Sequence, residues 1–541
     1  MTKKFGYSCG CEFEISNNST NSIIFSPSIE NINLECSRTW NLIAEGNTKG
    51  IFQLESRLGR SIAKKLKPEN IEQLSALIAI LRPGTLEAMR DGKSVTNHYI
   101  DKKNGNESLD FFHPSLEPIL NTTYGEMIYQ EQAMEIARNI AGFNLQEADM
   151  LRKAIGKKKP EEMAKIKKKF LSGTEQSKIV TTDQAEQIFS WIEKSQRYSF
   201  NKSHSVSYAM NAYLSAYAKA HFPKIFFASY LSFAKDKIDP QEEIKALVQN
   251  AREMDIDVVV PDFRLLNKHF VLKNNKIYFG LTDIKGVGES VYNKILKCVS
   301  DIQKGVDSLS WNEILMYVLI NINTTAAKAL IESGCFSYYR DISRTKMLLD
   351  LSIINDLTKK ELQFLRDNIN KNHDLISLIK CLIDSNTVNK NRLLKIQNSL
   401  NILLKPPYSL TDNPIWIADT EDSLLGCSIT CSRVDMYDMS ITNCTCKELK
   451  NKQLQNNTLI IGGEIENINI VKTKNGKNAG TEMCFVTMSD YSGQIDSVIF
   501  FPEIYKQYRN ILFLGNIIIV AGTRSKTKDG LIVEKAYIAK T

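Results

Sequence analysis

Between Tyr124 and His221 the chain commits itself to helix, and the rest has to pack around that commitment. The run from Val206 to His221 is rich in Ala and Tyr and stops before Pro223, where a helix has to end. Directly ahead of it stands Arg197-Tyr-Ser-Phe-Asn-Lys-Ser-His204, which gathers a guanidinium, an amide, an ammonium, hydroxyls and an imidazole beside two aromatic rings. The first N–H groups of a helix are unpaired and its dipole favours anions, so polar donors placed there suit a phosphate-bearing ligand. Upstream, Leu151-Arg-Lys-Ala-Ile-Gly-Lys-Lys-Lys-Pro160 is a second cationic cluster, and 151–170 holds nine Lys/Arg against two Glu. Alone, such a run reads as a solvated helix face. Two of them around one apolar-periodic segment point to a polyphosphate site.

With 541 residues the chain has room for about three or four domains with cores of their own. A 43% hydrophobic and 24% charged composition is that of an ordinary soluble protein, and a net charge of +8 permits nucleic acid as a partner. Met1-Thr-Lys-Lys-Phe5 leads into polar residues rather than an apolar segment, and no run of about eighteen apolar residues exists, so neither secretion nor a membrane is expected. Eleven scattered Cys suit a reducing compartment, and a cytoplasmic location is expected. Cys9-Gly-Cys11 and Cys444-Thr-Cys446 are C-x-C pairs, with Cys36, Cys427 and Cys431 near them in sequence. Zinc sites usually space their thiols C-x2–4-C, and no His stands close to either pair, so they read as ordinary reduced thiols with no metal.

Taken in order, 1–45 is a short β and loop segment. Helical periodicity follows: Leu66 to Leu81 reads as one helix, stopped by Arg82-Pro-Gly-Thr-Leu86 as a turn, and Ile128 to Ile140 as another, closed by Gly142. Further helices are expected over 145–155, 160–171, 182–194, 205–221, 224–234 and 241–254. Beyond that, Asp257–Val260, Phe270–Leu272 and Lys276–Leu281 read as strands, ahead of Ile284-Lys-Gly-Val-Gly-Glu289, the glycine turn of a helix-hairpin-helix. Lys285, Gly286 and Gly288 there would let a DNA backbone approach the following helix without reading bases. A second hairpin ends near Phe336, and 346–457 is helical or linking. From 458 the pattern is all-β: Leu459–Val471, Glu482–Ser489, Gln494–Phe500, Asn516–Gly522 and Leu531–Ile538, with a helix at Pro502–Tyr508 after the third strand. That is the order of an OB-fold. Its Lys472, Lys474, Lys477 and Arg524 are candidates for backbone charge; Phe485, Phe500 and Tyr491 could stack bases but in such barrels are more often core.

Several of these segments come in a familiar order: Phe52-Gln-Leu-Glu-Ser56, Arg82-Pro-Gly84, Tyr124-Gly125, Tyr129-Gln-Glu-Gln132, Ala148-Asp-Met-Leu-Arg152, Gly156-Lys-Lys-Lys-Pro-Glu-Glu-Met163 and Phe200-Asn-Lys-Ser-His204. Together they resemble the fingers region of the bacterial replicative DNA polymerase III alpha subunit, a C-family polymerase. The resemblance covers 45–300 closely and continues more weakly to the C-terminus. The wording of Thr39-Trp-Asn-Leu and Ser195-Gln-Arg-Tyr-Ser-Phe200 is similar to bacteriophage-encoded versions. It implies a multidomain, mainly α chain: an N-terminal segment 1–45, helical fingers 46–255, short strands and tandem helix-hairpin-helix 256–345, a helical or linker region 346–457 and an OB-fold 458–541. In such a protein Arg152, Lys153, Asn201, Lys202, Ser203 and His204 would meet the incoming dNTP, Gln53 and Arg82 would shape the junction with palm and template, and Lys157, Lys158 and Lys159 would meet DNA. Lys153 departs from the family, which uses Arg there; Lys keeps the charge but loses the bidentate fork. The resemblance also implies a clamp-binding peptide, for which Gln397-Asn-Ser-Leu-Asn-Ile-Leu-Leu404 is the nearest candidate, an ordinary helix being the plainer reading.

Two-metal nucleotidyl transfer needs clustered carboxylates around Mg2+. In the family these stand in a palm N-terminal to the Phe-Gln-Leu-Glu-Ser motif, yet no Asp precedes Asp91 here. Glu12 and Glu14 lack the family's surroundings, and Asp255-Ile-Asp257 matches a strand and turn that hold no metal. The expectation is therefore a polymerase part that binds primer-template DNA and dNTPs, inactive alone, with Mg2+ and the catalytic Asp residues on a separate chain carrying the PHP and palm domains. The rival is a non-catalytic DNA-binding replication accessory that keeps the fingers as a scaffold.

Overall fold

Helix α11 (Lys202–His221) is the spine of the first of two units, Met1–Pro223 and Lys224–Thr541, into which the chain divides. The computed structural model describes all residues except 1, 7–8, 10, 17–22, 25–31, 158–159, 196–197, 370–373, 386, 451–457, 474–479, 526–529 and 541, and omits the side chains of 2–6, 12–16, 23–24, 155–157 and 160. Lys158, Lys159, Lys474, Lys477 and Arg197 thus lie outside the described residues, as does the side chain of Lys157.

The first unit begins with an antiparallel sheet of β1 (Thr2–Gly6), β2 (Glu12–Ser16) and β3 (Ile23–Ile24), in which Phe5 pairs with Phe13. Helices α1 (Ser37–Ala44), α2 (Arg57–Leu66) and α3 (Ile71–Ile80) follow. The single helix expected from Leu66 to Leu81 is broken. Lys67 takes a left-handed φ of 51° before Pro68, and Asn70 caps a new start by accepting the Gln73 N–H at 2.9 Å. The segment after Arg82 is not a turn but a short helix, α4 (Pro83–Glu87); proline at the first helical position sacrifices no hydrogen bond. After a two-residue hairpin of β4 (Met89–Arg90) and β5 (Lys93–Ser94) come α5 (Val95–Lys103) and α6 (Glu117–Leu120).

Helices α7 (Gln130–Ala141), α8 (Leu145–Lys157), α9 (Pro160–Ser177) and α10 (Thr182–Ser195) share a core built from Ile136, Ile140, Leu151, Phe170, Ile188 and Phe189. Gly173 lets α9 press on the end of α7: a Cβ there would fall 2.0 Å from the Ala141 carbonyl oxygen. Helix α11 packs against α3 and α1. Its buried residues Ser205, Ala209, Ala212 and Ala216 are small, which brings backbones close, and Ser205 Oγ donates to the Ser75 carbonyl of α3 at 2.7 Å.

The second unit opens with α12 (Pro223–Ser232) and α13 (Pro240–Glu253). A small sheet in the order β6 (Val258–Val259), β8 (Lys276–Tyr278), β7 (Val271–Lys273) follows, its tight turn made by Asn274 and Asn275 at positive φ. Helices α14 (Glu289–Ile302), α15 (Trp311–Glu313), α16 (Thr324–Glu332), α17 (Arg344–Asn355), α18 (Lys359–Asn368), α19 (Leu375–Asp384), α20 (Lys390–Leu404) and α21 (Pro414–Leu425) bury one continuous core that includes Phe263, Phe279, Phe336, Leu330 and Leu378. The candidate clamp peptide lies within α20, with Leu403 in that core.

After α22 (Cys446–Lys450) the chain closes a barrel from β9 (Leu459–Lys472), β10 (Glu482–Asp490), β11 (Gly493–Phe500), β12 (Ile517–Arg524) and β13 (Leu531–Ile538), in the order β10-β11-β13-β12-β9. Helix α23 (Pro502–Tyr508) follows the third strand, and β11 and β13 close the barrel in parallel, as in an OB-fold. Multidomain and mainly helical with an all-β end, the fold class is the one expected. Among the described residues, no helix is long and apolar enough to cross a membrane.

Candidate nucleotide and nucleic-acid interface

Helix α11 starts four residues earlier than its periodicity suggests, so the motif ahead of the apolar run is the helix's own cap and first turn. Asn201 Oδ1 accepts from the His204 N–H at 2.9 Å and the Ser203 hydroxyl at 2.7 Å. Its amide nitrogen donates to Glu131 Oε1 at 2.7 Å, and the Lys202 N–H donates to Glu131 Oε2 at 2.9 Å. Glu131, in the first turn of α7, thus orients the cap from outside, while Ser203 and His204 stay exposed. The strand-like bridge between Tyr129 and Phe200 fixes the approach: Gln130 N–H donates to the Phe200 carbonyl at 2.9 Å and Phe200 N–H to that of Ile128 at 2.8 Å. Lys202 Nζ stands 3.4 Å from Glu72 and 5.6 Å from the Tyr129 ring centre.

An aromatic ladder extends the same surface. The Arg82 guanidinium lies 3.6 Å over the Phe200 ring, His204 meets Phe200 edge-on at 5.4 Å and Tyr208 at 4.2 Å, and Tyr208 reaches Phe52 at 5.1 Å. Gln53, exposed and at a φ of 64°, is the next residue along. The structure therefore brings Arg82, Phe52 beside Gln53, and Asn201–His204 into one neighbourhood.

Arg152 and Lys153 belong to a different cluster. Both are spent on Asp149: Arg152 Nε donates to it at 2.9 Å and Lys153 Nζ stands 2.7 Å away, one and the other a turn along α8. Hydrogen bonds from Lys153 and Arg152 hold the Asp149 carboxyl below its ordinary pKa. No described hydrogen bond or ion pair joins this cluster to Asn201–His204; what connects them is α7, which packs on α8 and supplies Glu131. Glu131 and Asp149 were both missed as site residues. Asp149 carried a readable signal, its i, i+3 and i, i+4 spacing to Arg152 and Lys153; Glu131 carried none beyond its place in a polar first turn.

In the second unit, Gly286 sits at a φ of 93° and a Cβ added at Gly288 would meet nothing within 4 Å. Lys285, Gly286 and Gly288 are exposed at the start of α14, whose N-terminus has no side-chain cap, while Val287 between them is buried. The Lys285 N–H donates to the Leu424 carbonyl at 2.9 Å, anchoring the turn on α21. On the barrel, Lys472 is exposed at the end of β9, and Arg524 donates to the Lys450 carbonyl at 3.0 Å. Phe500 is core and Tyr491 is exposed. The Asp255-Ile-Asp257 carboxylates face cations: Lys447 Nζ is 2.6 Å from Asp255 and Lys276 Nζ 3.4 Å from Asp257.

Comparison with known proteins follows the same divisions. Residues 14–178 match the bacterial DNA polymerase III alpha subunit finger domain, 255–347 a helix-hairpin-helix motif and 459–539 an OB-fold nucleic acid binding domain. The chain is 30% identical over 515 residues to DNA polymerase III subunit alpha of Pseudomonas aeruginosa, an alignment covering 92% of this chain and 41% of that protein. With the subunit of Borreliella burgdorferi it shares 30% over 512 residues (94% and 41%), and with that of Aquifex aeolicus 31% over 493 (90% and 37%). The chain thus spans about two-fifths of the length of these relatives. It carries a DNA polymerase III alpha subunit finger domain, a helix-hairpin-helix motif and an OB-fold, and 90–94% of its length is similar to DNA polymerase III alpha subunits.

Proposed function

We propose that residues 1–541 bind primer-template DNA and the incoming dNTP during templated DNA synthesis, as the fingers and DNA-holding part of a replicative polymerase. The observation that carries the reading is the first turn of α11, where Asn201 is clamped by Glu131 while the side chains of Ser203 and His204 face solvent at the positive end of the helix. In this reading the phosphates lie against that turn and exchange with Asp149 for Arg152 and Lys153. Arg152 offers a planar fork and Lys153 a point charge, both neutralising negative charge as pyrophosphate departs. The hairpin turn at Lys285–Gly288 and the basic ends of the barrel hold the DNA backbone.

Among the described residues, the one convergent group of His, Cys, Asp and Glu side chains contains no carboxylate. The reading assigns the metal, and the carboxylates that bind it, to a palm outside these 541 residues. The test is fluorescence anisotropy with a primer-template, then primer extension with and without the palm-bearing part. Salt-sensitive DNA binding, with extension only in the mixture, is expected. If Ser203→Ala with His204→Ala leaves dNTP use in the mixture unchanged, the fingers act only as a scaffold and the reading fails.

A further inference from the structure

Cys9 and Cys11 stand at the tip of the β1–β2 hairpin, and they do not stand alone there. Cys36 approaches from the N-cap of α1, and His221 from the last residue of α11. The three thiol sulfurs and an imidazole nitrogen all lie within 4.8 Å of one another, and Cys36 Sγ is 3.3 Å from His221 Nε2. Cys11, Cys36 and His221 are buried at 3%, 0% and 3% exposure, while Cys9 closes the set at its half-exposed edge. We infer that Cys9, Cys11, Cys36 and His221 bind one zinc ion, which ties the N-terminal hairpin to the C-terminal end of α11.

The donor set selects the metal. Three soft thiolates and an imidazole in a closed cluster are a structural zinc set. Zn–S bonds of about 2.3 Å put tetrahedral ligands roughly 3.7 Å apart, a spacing these side chains reach with small rotations. Cys36 stands at the N-cap of α1, and Arg38 lies in its first turn with Nε donating to the Ala220 carbonyl at 2.8 Å. Three thiolates around a divalent ion leave one negative charge for that guanidinium to balance.

Neighbours hold the ligands in place. Tyr213, Tyr217 and His221 recur every fourth residue along one face of α11; Tyr213 donates to the Asn33 carbonyl at 2.7 Å and meets the Trp40 ring, tilted, at 4.7 Å. Lys219, fully buried, donates to the Asn47 and Lys49 carbonyls at 2.9 and 2.8 Å. Cys444 and Cys446 make the contrast. They lie in the barrel core with carbonyl oxygens 3.9 Å from their sulfurs and no imidazole, as ordinary thiols do. The spacing rule set Cys9 and Cys11 aside because the imidazole arrives 185 residues after Cys36.

The full 541-residue chain, purified under reducing conditions and passed over chelating resin, is expected to retain one zinc per chain by elemental analysis. Cobalt in its place should give the intense visible bands of a tetrahedral thiolate site. Cys9→Ser, at the half-exposed edge, should weaken zinc retention against a competing chelator at least tenfold with the far-UV spectrum unchanged, whereas Cys444→Ser should leave it intact. A folded wild-type chain that takes up neither metal would overturn the inference, and so would a disulfide among these cysteines in its place. Zinc retained unchanged by both Cys9→Ser and Cys36→Ser would overturn it too.

Discussion

Asp149 decides what Arg152 and Lys153 are worth. Both cations are held by one half-buried carboxylate, so in the proposed reading a triphosphate would gain only the difference between its own contacts and those of Asp149. Arg152→Ala should then cost about 1.5–3 kcal/mol, roughly ten- to a hundred-fold in dNTP use by the mixture with the palm-bearing part. Asp149→Asn should shift the same quantity the other way, because it removes the competitor and leaves the fork free. Steady-state kinetics at fixed primer-template check both, and opposite signs are the signature. If both substitutions instead lower the melting temperature and spare the kinetics, Asp149 is only a helix-surface brace. Of these residues the cations were legible in the sequence, since charge runs are visible without a fold. Glu131 was not, because its partner Asn201 is 70 positions away and only the Tyr129–Phe200 bridge brings them together.

At the scale of elements, the sequence told strands and helices apart but not where helices break. The barrel strands and α23 fall where alternation and turn residues put them, because a half-buried strand writes its period directly into the chain. The break at Lys67 and the helical start at Lys202 were hidden: the first depends on a left-handed non-glycine residue, the second on a cap and first turn made from polar residues outside the apolar run. Two elements carry predictions. At the hairpin turn, Gly286→Val forces a β-branched residue to a φ of 93°, and should weaken binding to all primer-templates alike; Lys285→Ala should reduce the slope of log affinity against log salt by about one. A loss confined to particular sequences in anisotropy titrations would mean that this turn reads bases. At the junction of α16, α17 and α21, Gly334 has a φ of 81° and a Cβ there would fall 2.4 Å from Arg344 Nη2. That guanidinium is buried and cannot swing away without leaving Glu421, 2.7 Å distant and fully buried. Gly334→Ala should therefore destabilise the second unit by on the order of 3 kcal/mol, read as a lowered urea midpoint.

At the scale of the whole molecule, the question within the second unit is whether barrel and helices unfold together. The barrel does not hang from a linker. Lys245 of α13 pairs with Glu466 of β9 at 2.6 Å, Lys450 of α22 pairs with Glu253 of α13, and Lys447 pairs with Asp255. Burial works against the charge of Lys245, but Glu466 outweighs it and raises the ammonium pKa above its ordinary value. A raised lysine pKa gives stability that is complete below the unfolded value and is lost as pH rises through the folded one. The attachment should thus hold unchanged through neutral pH and loosen only in the alkaline range. Lys245→Ala removes that dependence and leaves Glu466 half-buried without its cation, at a cost of about 1–3 kcal/mol. In scanning calorimetry the wild-type unit should melt with its barrel in a single transition near neutral pH, and Lys245→Ala should split off an earlier barrel transition. Raising the pH should reproduce that split in the wild type and change the variant less. A variant that melts as the wild type does at every pH would mean that the packing of α13 against β11, not the ion pairs, couples the barrel to the helices.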